Sequence, residues 1–151
     1  MSFKIGFHVS TSGGIQNSVT NAVAIGCTAF QIFTRSPRQW SCRELSEDQK
    51  ESFKNNLKKS GISKNSVAVH MPHLANLSGP DGELYENSVN SFTMELIRTS
   101  ELGIEFLVIY LGSDMGYGKE NGIKQYYNLQ SIPSSVRGLK TNKQVIVELE
   151  Y

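Results

Sequence analysis

Short apolar runs alternate with longer stretches of helical period along this chain. Phe3 to Val9 (Phe-Lys-Ile-Gly-Phe-His-Val) alternates weakly and predicts a first strand ending near His8. Ile15, Val19, Ala22 and Val23 then recur at helical spacing, and Gly26 supplies a C-terminal stop. Thr28 to Phe33 predicts a second strand. Ser46, with Gln49 three residues on, has the spacing of a capping box. The helix it opens buries Phe53 and Leu57 and ends at Lys58-Lys59-Ser60-Gly61, with cations at the negative end of the dipole. Val67-Ala68-Val69 is an apolar run too short for a helix and predicts a buried third strand. Pro72 breaks that strand, which leaves His70 where the chain exits the core. A third helix is expected from about Pro80 to Gly103, with Val89, Phe92 and Leu96 as its buried stripe. Phe106 to Tyr110 predicts a fourth strand, Gly122 to about Ile132 a fourth helix, and Val145 to Glu150 a fifth strand.

Strictly alternating strands and helices imply a parallel sheet with right-handed crossovers. Two closures fit. An open doubly wound sheet could be complete in 151 residues. A (β/α)8 barrel takes about 250 residues, so this chain would be little more than half of one. In both architectures ligands gather at the carboxyl ends of the strands. The exits carry His8, then His70 with His73, then Tyr110 with Asp114, then Glu150. Histidines and carboxylates converging on one rim suit zinc or a similar metal. Glu148 and Glu150, two apart on a strand, share a face.

Composition narrows the picture only a little. Hydrophobic residues make 38% and charged residues 19%, with a formal net charge of +1. That balance carries no overall basic footprint for nucleic acid. Local charge says more. Arg35-Ser36-Pro37-Arg38-Gln39-Trp40 follows the second strand directly. Arginine matches phosphate geometry, and a planar side chain can stack on bases or wedge between them. The opposing reading has Trp40 packed over the rim and both arginines solvated. Cys27 and Cys42 make no metal-binding CxxC, and Cys27, in an apolar setting, is expected as a small core residue. Gly112 to Gly118 is glycine-rich but lacks the lysine of a phosphate loop. The Met1 end has no signal-peptide pattern and no apolar stretch is long enough to span a membrane, so the expected setting is cytoplasmic.

Several segments, in order, resemble the endonuclease IV family of metal-dependent abasic-site endonucleases. They are Lys4-Ile5-Gly6-Phe7-His8-Val9-Ser10 with Gly13-Gly14, then Gly26 to Thr34 with Pro37-Arg38-Gln39-Trp40. His70-Met71-Pro72 with Leu74 and Asn76-Leu77 follows, and then Leu102-Gly103-Ile104. The resemblance covers almost the whole chain but only the first part of a family member. It implies a TIM barrel, here a single incomplete domain over residues 1–151 with about four βα units and a fifth strand. It implies a zinc cluster at the carboxyl face, DNA containing abasic sites as partner, and hydrolysis of the phosphodiester on the 5′ side of the lesion. By resemblance His70 and Glu150 are metal ligands, with Glu148 as the alternative if the register slips. Arg38 is the residue that enters the DNA near the lesion, and Leu74 is a neighbouring inserting residue. Gln39, Trp40 and Asn76 belong to the substrate loops, and His73 stands where the family has a DNA-facing tyrosine.

The chain also departs from the family. Its fourth strand ends Tyr110-Leu111-Gly112-Ser113-Asp114, where the family pattern has two histidines. A tyrosine is a poor zinc ligand, because its pKa near 10 must fall before it binds as phenolate. Tyr151 follows Glu150 where an Asn-Thr-Ala-Gly run is expected, and the ligands of later strands are not in this sequence. The expectation is a chain without appreciable cleavage by itself, with either a non-catalytic DNA-binding role or a role as one half of a split enzyme. Open sheet edges add self-association.

Overall fold

The computed structural model describes residues 3–129 and 144–148. Its strands are β1 (Gly6–His8), β2 (Ala29–Ile32), β3 (Val67–His70), β4 (Phe106–Tyr110) and β5 (Gln144–Glu148). Between them run helices α1 (Asn17–Ala24), α2 (Glu47–Ser60), α3 (Glu83–Glu101) and α4 (Lys119–Leu129). All strand pairs are parallel, in the order β1-β2-β3-β4-β5.

That order decides between the two closures. A doubly wound sheet reverses its winding at a switch point, so two strands adjacent in the chain are separated in the sheet. Here every strand pairs with its chain neighbour. Right-handed crossovers that always step the same way put every helix on one side, which is the winding of a barrel arc. Burial agrees. Phe30, Ile32, Val67, Val69, Leu107 and Ile109 point to the helix side and are buried. Ala29, Gln31, Ala68, Phe106, Val108 and Tyr110 alternate with them and stay half-buried on the inner face. A cavity of about 490 Å³ lies over that inner face, lined by Gly6, Gln31, Ala68, Phe106 and Ile146 among others.

The element boundaries follow from local chemistry. Gly6 sits where a Cβ would come within 1.6 Å of the Ala29 carbonyl oxygen, so the β1–β2 approach needs glycine. The β1 ladder is shorter than the alternation predicted, because Ile5 donates its N–H to the Thr28 hydroxyl instead of to a strand carbonyl (2.8 Å). Ser46 caps α2 as read: its hydroxyl accepts from Gln49 N, and the Gln49 side chain accepts from Ser46 N. Gly61, at φ 75°, closes the helix in the left-handed region. Cys27 is buried in the core.

Three expectations need correction. Helix α3 begins at Glu83, not Pro80, because Pro80-Asp81-Gly82 forms the turn before it and Gly82 (φ 149°) stands at its N-cap. Helix α4 begins at Lys119, not Gly122, directly after Gly118 (φ 97°). Its expected end at Ile132 lies outside the described residues. The third correction is the largest. The buried face of α3 is mostly polar: Ser88, Ser91, Phe92, Glu95, Arg98 and Thr99 are buried, while Val89 and Leu96 are only partly so. No described helix is long and apolar enough to cross a membrane.

Candidate functional site

The strand exits gather on one rim. Rings from four strand exits form a run across it: His8 lies 4.2 Å from Phe33 (between centroids), Phe33 5.7 Å from His70, His70 4.8 Å from His73, and His73 6.0 Å from Tyr110. Strand alternation explains the alignment. His8, Phe33, His70 and Tyr110 share the inner-face parity of β1, β2, β3 and β4, and since His8 stands opposite Gln31 and His70 opposite Val108, Phe33 and Tyr110 each lie one inner-face position farther along the rim.

His70 is 4% exposed. Its Nδ1 stands 2.6 Å from the Met71 carbonyl oxygen. A carbonyl only accepts, so Nδ1 carries the proton. A histidine tied in this way ligates through Nε2, the arrangement in which a backbone acceptor orients a metal-binding imidazole. His8 has the opposite polarity, because the Gln31 amide donates to its Nδ1 at 3.1 Å. Burial pushes the His8 pKa below the ordinary histidine value, and the nearby charges of His70 and His73 push it the same way.

Two loops flank this run. The loop after β2 carries Arg38, Gln39 and Trp40, all exposed. The loop after β3 carries His73, exposed, and Leu74 and Asn76, half-buried. Asn76 ties its loop to the next. Its side-chain oxygen accepts from Ser78 N (3.2 Å) and Ser113 N (3.1 Å), and its own backbone N–H donates to Ser88 Oγ (2.8 Å). Gly112, at φ 88°, lies so close that a Cβ would meet that side-chain oxygen at 2.2 Å. A cavity of about 360 Å³ separates the loops after β1 and β2, with His8, Phe33, Ser10 and Ser36 among its lining.

The two arginines after β2 go opposite ways, which corrects the reading that treated them together. Arg38 is exposed, while Arg35 is buried. Arg35 Nε donates to Glu95 Oε1 at 2.6 Å, and its Nη1 donates to the carbonyls of Gln39 and Trp40 (3.1 Å for Trp40). Its Nη2 donates to Ser91 Oγ. Thr34 Oγ1 donates to Glu95 Oε2 at 2.8 Å. Arg98 donates to Thr34 Oγ1 (2.8 Å), to the Thr34 carbonyl and to the Arg43 carbonyl (2.9 Å). Sequence reasoning missed this network. The available signal was the spacing of Ser88, Ser91, Glu95 and Arg98 along one helical face.

Tyr110 closes β4 and meets the rim through His73. Asp114 turns back on its own loop, accepting from Gly116 N at 3.2 Å. Glu150 lies outside the described residues. Glu148 pairs with Tyr110 in the parallel ladder. Among the described residues no group of three or more histidine, cysteine, aspartate or glutamate side chains could hold a metal ion. His70 fits one coordination position, and the described set does not build a zinc cluster.

Comparison with known proteins gives the same direction at sequence and structure level. The profile of the xylose isomerase-like TIM barrel family matches residues 19–138. A "probable endonuclease 4" of Cenarchaeum symbiosum is 45% identical over 145 residues, 96% of this chain and 51% of that protein. Another, from Nitrosopumilus maritimus, is 44% identical over 151 residues, 97% of this chain and 51% of the relative. The chain thus spans about half the length of the curated relatives it matches. The crystal structure of endonuclease IV from Thermus thermophilus superposes with a TM-score of 0.73 at 31% identity, covering 96% of this chain and 62% of that one.

Proposed function

Since the chain belongs to the endonuclease IV family of xylose isomerase-like TIM barrels, we propose that it is the DNA-holding part of an abasic-site endonuclease. The observation that carries the reading is the juxtaposition at one rim of the His8–Phe33–His70–His73–Tyr110 run with the exposed Arg38-Gln39-Trp40 segment. Arg38 supplies a guanidinium fork for phosphate beside the lesion. Leu74 and Trp40 offer apolar surface to a base step that has lost its stacking partner. An abasic nucleotide costs little to extrude, because it has no base to unstack. His73 and Gln39 add hydrogen-bonding groups facing the same duplex, and Asn76 holds the two later loops in register.

A zinc cluster, implied for the family, would take His70 as one ligand and Glu150 as a second, with Tyr110 at a position it cannot fill as imidazole would. The remaining ligands must come from strands beyond those described. Bound metal would supply hydroxide near neutral pH and stabilise charge on the attacking and leaving oxygens. In this reading the chain alone binds abasic DNA and does not cut it, and cleavage needs metal ligands from beyond the described residues.

The test has two arms. A duplex with a stable abasic analogue binds the wild-type chain with steep salt dependence, and Arg38→Ala weakens it about tenfold with a shallower slope. Equal binding by the variant would overturn the DNA-holding role. In a nicking assay with zinc the chain leaves the duplex intact. Metal-dependent nicking that disappears in His70→Ala would show instead that the chain is a complete enzyme.

A further inference from the structure

We propose that the buried polar face of α3 is a positioning brace, with Arg35 and Glu95 at its centre. It fixes the backbone of the Arg38-Gln39-Trp40 segment and sets it against the loop after β3. The inference rests on the DNA-holding reading for what the brace serves, and on geometry alone for its existence.

The grip falls on both sides of Arg38. Upstream, Thr34 is held by Glu95 and Arg98. Downstream, the carbonyls of Gln39 and Trp40 are held by the Arg35 guanidinium, and the carbonyl of Arg43 by Arg98. No strand or regular helix runs between Ile32 and Glu47, so these bonds stand where ladder or helix bonds would otherwise fix the backbone. One guanidinium spans both partners: Nε and Nη2 face Glu95 and Ser91 on α3, while Nη1 faces the loop carbonyls. Ser88, on the same face of α3, accepts from Asn76 N in the loop after β3. A single rigid helix therefore sets the register of two candidate DNA loops.

Stability alone is a weak account of such a network. A buried ion pair is often matched or bettered by well-packed apolar side chains of similar volume. What the arginine fork adds is direction, with donors at fixed angles to several acceptors at once. Both side chains are nearly inaccessible, 2% for Arg35 and 0% for Glu95, so this is no solvated surface pair.

Trp40 is the only tryptophan in the chain and reports on the braced segment directly. Arg35→Lys keeps the charge facing Glu95 and removes the fork. The expected result is greater acrylamide quenching of Trp40 and binding of the abasic-analogue duplex weakened roughly ten- to a hundredfold. Arg38→Ala serves as the contrast, losing affinity with Trp40 quenching unchanged. If Arg35→Lys lowers only the melting temperature, with quenching and affinity as in the wild type, the residue is merely structural and the proposal falls. Loosened Trp40 with unchanged affinity also overturns the positioning role. Ser91→Ala, which removes one acceptor of the fork, carries the same readouts should Arg35→Lys not fold. A wild-type chain that ignores the abasic duplex would defeat the DNA-holding reading, and the quenching comparison would still decide whether the brace exists.

Discussion

His8 shows how closely the rim couples its imidazoles. Its ring packs on Phe33, which in turn meets His70 in an edge contact. Burial, with the charges of His70 and His73 acting the same way, holds the His8 pKa below 6.5. The unfolded chain therefore takes up this proton before the folded one does as pH falls. The contribution of His8 to stability is full above 6.5 and is lost progressively as pH drops below that value. Ring-proton NMR of the metal-free chain should give His8 a midpoint below 6.5; a midpoint at or above it would contradict the packing. At this scale His70 was legible, because Pro72 fixes where β3 stops. The fate of Arg35 was not. A sequence shows an arginine after a strand but not the carboxylate that meets it from a helix about 60 residues away.

Helices α2 and α3 show why some elements read easily and others do not. The α2 signals are local: a capping box at Ser46, Glu47 and Asp48 in the first turn, Lys58 and Lys59 in the last, and Gly61 to close. Each acts within a turn of its own position, so one sequence suffices. Ser46→Ala should cost about 1 kcal/mol in urea denaturation without altering the far-UV spectrum of the folded chain. A change within error would mean that the cap is solvated away. In α3 the apolar period of Val89, Phe92 and Leu96 was correctly helical and does pack on the core, but it missed the polar residues Ser88, Ser91, Glu95 and Arg98 that make up most of the buried face. Glu95 and Arg98 look like a solvent face until the loop after β2 supplies their partners. Polar residues inside a helix interface are legible only with the tertiary contact in hand.

At the scale of the whole molecule, the alternation of strands and helices predicted a parallel sheet but left its closure open; the family resemblance implied a barrel, and the pairing order shows the barrel winding. Among the described residues β1 and β5 are edge strands. On β1 and the segment before it, Phe3, Ile5 and Phe7 are 88%, 65% and 63% exposed. Apolar edges of this kind template further association. Sedimentation equilibrium of the isolated chain should show mass rising with concentration, and Phe7→Lys should reduce the rise. A chain that stays monomeric at high concentration would count against this edge as an interface.

The strand order has one more implication, and it concerns time. Among the described residues each of β2 to β5 finds its partner one βα unit back in the chain. Every pairing therefore closes a loop of similar length, at an entropic cost that grows only slowly with its size. None has to wait for a segment several units away. Space and synthesis run in the same direction here, so a chain leaving the ribosome can lay down β1, β2 and β3, with the histidine exits already side by side, before β4 is made.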